Sequence, residues 1–155
     1  MLAETEIQNL DLALSQSVQE VVERMCFTMI DSLADPPPEY ATPCLEVKLN
    51  FRGALDGSFW LRVPRQTAHK VAAPFSGADS PYDQKTEDVV RELASIMCGA
   101  TLSRIVDDGI FDLDSPVASW ITNQARGPRL VDYYRADFRI GRHVLSAAIA
   151  FQAGS

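Results

Sequence analysis

The sequence has no cluster of Lys or Arg, no cysteine pair at C-x-x-C spacing, no apolar run of membrane-spanning length and only two histidines. Each absence removes a class of function. Nucleic acids and anionic membranes are bound by a positive face that displaces counterions, and a formal net charge of -7 offers none. A membrane helix needs about 18 or more consecutive apolar residues. The opening MLAETEIQNLDLAL also lacks the basic segment of a signal peptide, so a cytoplasmic location is expected. Cys26, Cys44 and Cys98 are odd in number and have only His69 and His143 to assist them, which is neither a disulfide framework nor a zinc site. Cys26 and Cys98 fall inside apolar helical patterns and read as small buried hydrophobes. Asp107, Asp108, Asp112 and Asp114 lack the spacing and terminal Glu of a calcium loop. Neither histidine has a Ser or Cys partner at an interpretable spacing. No metal site and no cofactor is therefore expected of this chain.

What is present is the composition of an ordinary globular protein, 46% hydrophobic and 23% charged. A length of 155 residues suits one domain with one core, spanning 1–155 with residues 1–10 as a flexible N-terminus. Apolar residues at Leu12, Leu14, Val18, Val21, Val22, Met25, Met29 and Leu33 follow helical spacing, predicting a helix from Leu10 to Leu33. The three prolines of DPPPEY stop it. Leu45, Val47, Leu49 and Phe51 then alternate with polar residues, and Phe59, Leu61 and Val63 resume the alternation after RGALDG. That pattern predicts an antiparallel hairpin from Leu45 to Val63. A short helix, RQTAHKVAAPF, is cut off by Pro74.

A second long helix begins near Ser80, a good N-cap followed by Pro81 and by Asp83 three residues on, and runs to about Val106. The segment IFDLDSPVASWIT reads as an edge strand, or a strand plus loop, interrupted at Pro116. LVDYYRADFRI and HVLSAAIAF form a last strand pair around a tight turn at Gly141 and Arg142. This order implies an α+β fold, an antiparallel sheet built from hairpins with two long helices packed on it. VQEVVERMCFTMI and EDVVRELASIMCGATLSRI each precede a strand pair, a faint echo of a duplicated helix-plus-hairpin unit.

The second long helix carries the one feature that asks for a functional explanation. At about 100° per residue, Val90, Leu93, Ala94, Met97, Thr101 and Ile105 make a core stripe. Asp88, Glu92, Ser95, Gly99 and Ser103 fall within roughly 80° of one another on the other side. Acidic residues suit a helix start through its dipole, and any surface helix has a polar side. Gly99, however, costs about 1 kcal/mol relative to Ala inside a helix, and the polar side gives it no core-packing reason. A surface that another backbone approaches closely would account for it.

The segment Asp88-x-x-x-Glu92-x-x-Ser95-x-x-x-Gly99, with Pro116 about twenty residues on, resembles the CheX/CheC/FliY chemotaxis phosphatases. LNFRGALDGSFWLRV, with Gly53 and Gly57, resembles their strand pair and its G-x-x-x-G turn. The likeness spans about Leu12 to Phe151 and is to the single-site CheX type, since the first helix has Glu20 and Glu23 but no Glu-x-x-Asn. It implies a CheC-like fold and a helix face, comprising Asp88, Glu92, Ser95, Ile96, Gly99 and Ser103, that docks on a phosphorylated CheY-like response regulator and hydrolyses its aspartyl phosphate. In that family the Glu pairs with a Lys of the regulator, an Asn holds the attacking water in line, and the regulator supplies the Mg²⁺. Such chemistry is positioning, with little covalent work for the protein to do.

Glu92 stands at the Glu position, but Ser95 replaces the Asn. A hydroxyl both donates and accepts, yet it reaches roughly 2 Å less far than an amide, and misplacement on that scale costs about a hundredfold in rate. Three readings follow: a CheX-like module that docks on a receiver domain with weakened or lost phosphatase activity, an active phosphatase using Glu92 and Ser95, and a structural protein with no regulator partner. CheX-type proteins pair their sheets into dimers, so a homodimer is implied, and the outward member of Tyr133 and Tyr134 is a candidate contact. Trp60 and Trp120 read as core or interface fillers.

Overall fold

In a computed structural model of the chain, which describes residues 4–34, 43–76, 84–106, 109–122 and 134–152, the alternating segments form the predicted hairpin. Strand β2 (Cys44–Gly53) pairs antiparallel with β3 (Gly57–Pro64) from Cys44 opposite Pro64 to Phe51 opposite Gly57. Gly53 has φ +138°, and a Cβ there would sit 2.2 Å from the Ile110 carbonyl oxygen. A Cβ on Gly57 would sit 2.1 Å from the Ala150 carbonyl oxygen. Both glycines of the turn are therefore required where a neighbouring strand crosses close to the backbone.

The last strand pair also forms, β6 (Tyr134–Ile140) with β7 (His143–Phe151), turning at Gly141 with φ +59°. Strand β3 then pairs with β7, joining the two hairpins at the middle of the sheet. Short strands complete each side: β1 (Asp31–Leu33) adds to β6, and β4 (Phe111–Leu113) and β5 (Val117–Ile121) both add to β2. The seven strands run β1-β6-β7-β3-β2-β4, with β5 beside β2. Each half thus lends its outer strand to the other half's hairpin, and the duplicated unit hinted at in the sequence is visible as topology.

The helices are α1 (Glu4–Met25), α2 (Arg65–Ser76) and α3 (Gln84–Ile105). All pack on one sheet face. Leu14, Val18 and Val22 of α1, Val71 of α2 and Val90, Ala94, Met97 and Leu102 of α3 share a core with Leu45, Val47, Phe51, Phe59, Phe138 and Ile149. Arg104 near the end of α3 reaches Ser17 and Glu20 of α1, while Met25 at the end of α1 lies beside Val89 and Ile96, so the two long helices run antiparallel. This is the expected α+β arrangement of an antiparallel sheet under two long helices.

Several sequence expectations need correction. The first helix starts at Glu4 rather than Leu10; the added segment has no Gly or Pro, and Glu4 and Glu6 suit a helix start. It ends at Met25 rather than Leu33, because Phe27 turns the chain with φ +53° and residues 31–33 join the sheet as β1. Leu12 and Met29, placed on its apolar stripe, are exposed. Pro74 does not stop α2, which continues to Ser76, since near a helix end proline has few backbone bonds left to break. The connector at DPPPEY and the cap at Ser80, Pro81 and Asp83 lie outside the described residues, as do Asp107, Asp108 and Tyr133.

On the opposite sheet face, over which no helix lies among the described residues, Arg62, Asp137 and Ser146 are buried. Glu46 accepts from Arg62 at 2.6 Å, and Arg135 and Ser146 both donate to Asp137. Lys48 lies over the Trp60 ring at 5.5 Å. Charged side chains on that face pair with one another.

The turn geometry yields a test: Gly53→Ala combines a disfavoured φ with a backbone clash and should destabilise the fold by about 2 kcal/mol or more, read as a lowered urea midpoint with unchanged slope.

Candidate functional site

Helix α3 is fixed from three sides, which makes its remaining side a rigid platform. Thr86, Val90, Leu93, Ala94, Met97, Cys98, Thr101 and Leu102 are buried, a wider stripe than the sequence suggested because Cys98 and Leu102 join it. Thr101 satisfies its hydroxyl on the Met97 carbonyl at 2.7 Å. The Trp120 indole of β5 donates to Glu87 at 2.7 Å, and Arg104 ties the other end to Ser17 at 2.9 Å. Of the two tryptophans, Trp120 therefore braces this helix and Trp60 belongs to the far face of the sheet.

Asp88, Glu92 and Ser103 are exposed and Ser95, Ile96 and Gly99 half-buried, so all six candidate residues border the open side of one helix. Their surroundings differ. Asp88 accepts from Gln84 at 3.0 Å and also pairs with Arg91; these two contacts, Gln84 first, hold its carboxyl below the usual carboxylate range. Its charge is largely answered within its own helix. Glu92 has no hydrogen bond or ion pair among the described residues, and neither has the Ser95 hydroxyl. A Cβ added to Gly99 would meet only Leu113 Cδ1, at 4.0 Å, an ordinary contact. Nothing within the fold therefore demands glycine at that position.

On the first helix, the two glutamates that the sequence singled out are both engaged. Glu20 is engaged by Arg24 at 2.8 Å and by Arg104, and Glu23 accepts from Gln19 at 3.3 Å. The three cysteines are buried and free, with Cys26 pushed up to about 11 and Cys44 and Cys98 to about 12 by desolvation, so none is a ready thiolate. His69 sits half-buried in α2.

Chemically, the open side offers a carboxylate without an internal partner and, one turn on, a hydroxyl that can donate and accept. With no base hydrogen-bonded to it, Ser95 is not an activated nucleophile. The pair can attract a cation and orient a polar group, and Gly99 leaves room for the approach. Apolar residues border this strip on both sides. Ile110 is exposed and Leu113 partly so beyond Gly99, and on the other side Val89 and Ile96 face a groove shared with Met25 and Phe75. Sequence reasoning had singled out only Ile96 of these. Val89 and Ile96, seven residues apart and off the core stripe, were the available signal.

No protein-family model matches the sequence, and no curated protein matches it. Solved structures do. The chemotaxis protein CheX from Vibrio vulnificus matches at TM-score 0.72 and 16% identity, over 92% of this chain and 96% of that one. A CheC-like superfamily protein from Shewanella sp. PV-4 matches at TM-score 0.71 and 15% identity, over 94% and 98%. The CheX of a CheX-CheY-BeF3-Mg complex from Borrelia burgdorferi matches at TM-score 0.64 and 15% identity, over 91% and 96%. The chain has the CheC-like fold of the CheX/CheC/FliY chemotaxis proteins.

Because Gly99 has space for a methyl group, Gly99→Ala should raise stability by up to about 1 kcal/mol, seen as a higher thermal midpoint. A fall in that midpoint would mean that the fold itself needs the glycine.

Proposed function

We propose that this chain is a CheX-like signalling domain whose α3 face docks on the receiver domain of a CheY-like response regulator, with weakened or lost aspartyl-phosphate phosphatase activity. The observation that carries the reading is Glu92, an exposed carboxylate without a partner among the described residues, beside a glycine that none of those residues requires. The fold shared with a CheX solved together with CheY supports it. Glu92 pairs with a Lys of the regulator, the Mg²⁺ is bound by the regulator, and Asp88 adds to the acidic rim. Ser95 stands where an amide would hold the water, and its shorter reach is the reason to expect reduced hydrolysis.

A second reading, an active phosphatase, is favoured by the Ser95 hydroxyl itself, which has no bond among the described residues and can hold a water. The same proposal includes a homodimer in the cytoplasm. Support for pairing comes from β1, β4 and β5, which have no strand on their outer side among the described residues, with Val117 exposed on β5.

The lifetime of the phosphoryl group on a CheY-like receiver decides among the readings. Binding with an unchanged lifetime, and accelerated decay on introducing Ser95→Asn, is the expected result. Decay already accelerated by the natural chain and abolished by Glu92→Ala would establish the active phosphatase instead. Absence of binding to any receiver, phosphorylated or not, would leave only a structural role.

A further inference from the structure

The groove beside Glu92 has a volume of about 260 Å³ and is lined by Met25, Phe75, Val89, Leu93 and Ile96, with Glu92 on its rim. It lies where the end of α1, the end of α2 and the first half of α3 converge, so its walls come from elements the core holds in place. Phe75 stands about half exposed at 48%, which leaves an aromatic wall open to solvent. The volume suits one side chain of leucine or phenylalanine size.

Charge selects the occupant. Asp88 and Glu92 both border the groove, and Arg91 is committed to Asp88. A second copy seated there about a two-fold axis would bring two such acidic rims together, on a chain whose net charge is already -7. A segment with an apolar side chain flanked by a Lys or Arg has no such penalty: the apolar group leaves water while the cation answers Glu92.

We propose that this groove receives one apolar side chain of the receiver domain, adjacent to the cation that pairs with Glu92, and that this contact sets which regulator is accepted. The proposal rests on the docking reading above and adds a second anchor to it. Glu92 alone attracts any basic receiver; the groove distinguishes those that carry a fitting side chain beside the cation.

The test measures the affinity of a Mg²⁺-loaded, beryllofluoride-activated CheY-like receiver from the same organism. Ile96→Asp and, separately, Phe75→Asp should each raise Kd about tenfold or more with thermal unfolding close to the natural chain; the exposed Phe75 position guards against loss of folding at Ile96. If Glu92→Gln weakens binding while both groove variants keep the natural Kd, the groove inference is overturned and the docking reading stands. If all three variants bind as the natural chain does, or no receiver binds, both fall. If the groove variants convert a dimer to a monomer at unchanged Kd, the occupant is a second copy and the inference is equally overturned.

Discussion

The pairing of β3 with β7 is the contact on which the rest of the molecule depends. It places Leu61 opposite Ala147 and Trp60 opposite Ala148, and so welds two hairpins distant in sequence into one sheet. Once they are joined, the apolar halves of both alternating patterns lie on a single face, large enough to bury two long helices together. The exchange of β1 and β4 across the halves reinforces the weld, because neither half completes its sheet alone. At the end of this seam Gly57 passes so close to the Ala150 carbonyl that no side chain fits there.

With the helices gathered on one face, the two surfaces of the sheet solve different problems. The covered face is apolar. The other has no helix among the described residues, and there Glu46 pairs with Arg62, and Asp137 with Arg135 and Ser146. Losing one member of such a buried pair leaves a charge without its partner, which costs about 3–5 kcal/mol, whereas the intact pair adds little. On α3 the economy is reversed: Asp88 is answered by Arg91, but Glu92 has no counter-ion among the described residues, on a helix face with small neighbours. A carboxylate left in water loses nothing by waiting, and it gains when a cation arrives.

Legibility from the sequence followed the range of the interactions involved. The hairpin at Leu45 to Val63 was readable because alternation and turn glycines are local, and α3 because its stripe repeats over six turns. The candidate residues Asp88, Glu92, Ser95, Gly99 and Ser103 were readable for the same reason, being one face of one helix. The end of α1 was misread because Met29 and Leu33 continue the helical spacing by chance, while the turn at Phe27 and the pairing of β1 with β6 depend on a strand about a hundred residues away. The groove wall at Met25 and Phe75 belongs to two other helices, so no spacing within α3 pointed to it.

The amino-acid order by itself determined the elements, the α+β class and the composition of the α3 face, because those follow from local periodicity and from the conformational needs of Gly and Pro. Only the tertiary structure decided which carboxylates are engaged, that Gly99 has no internal reason, and that Glu92 borders an apolar groove. Those properties belong to distances between residues far apart in the chain, and packing sets such distances where sequence spacing does not.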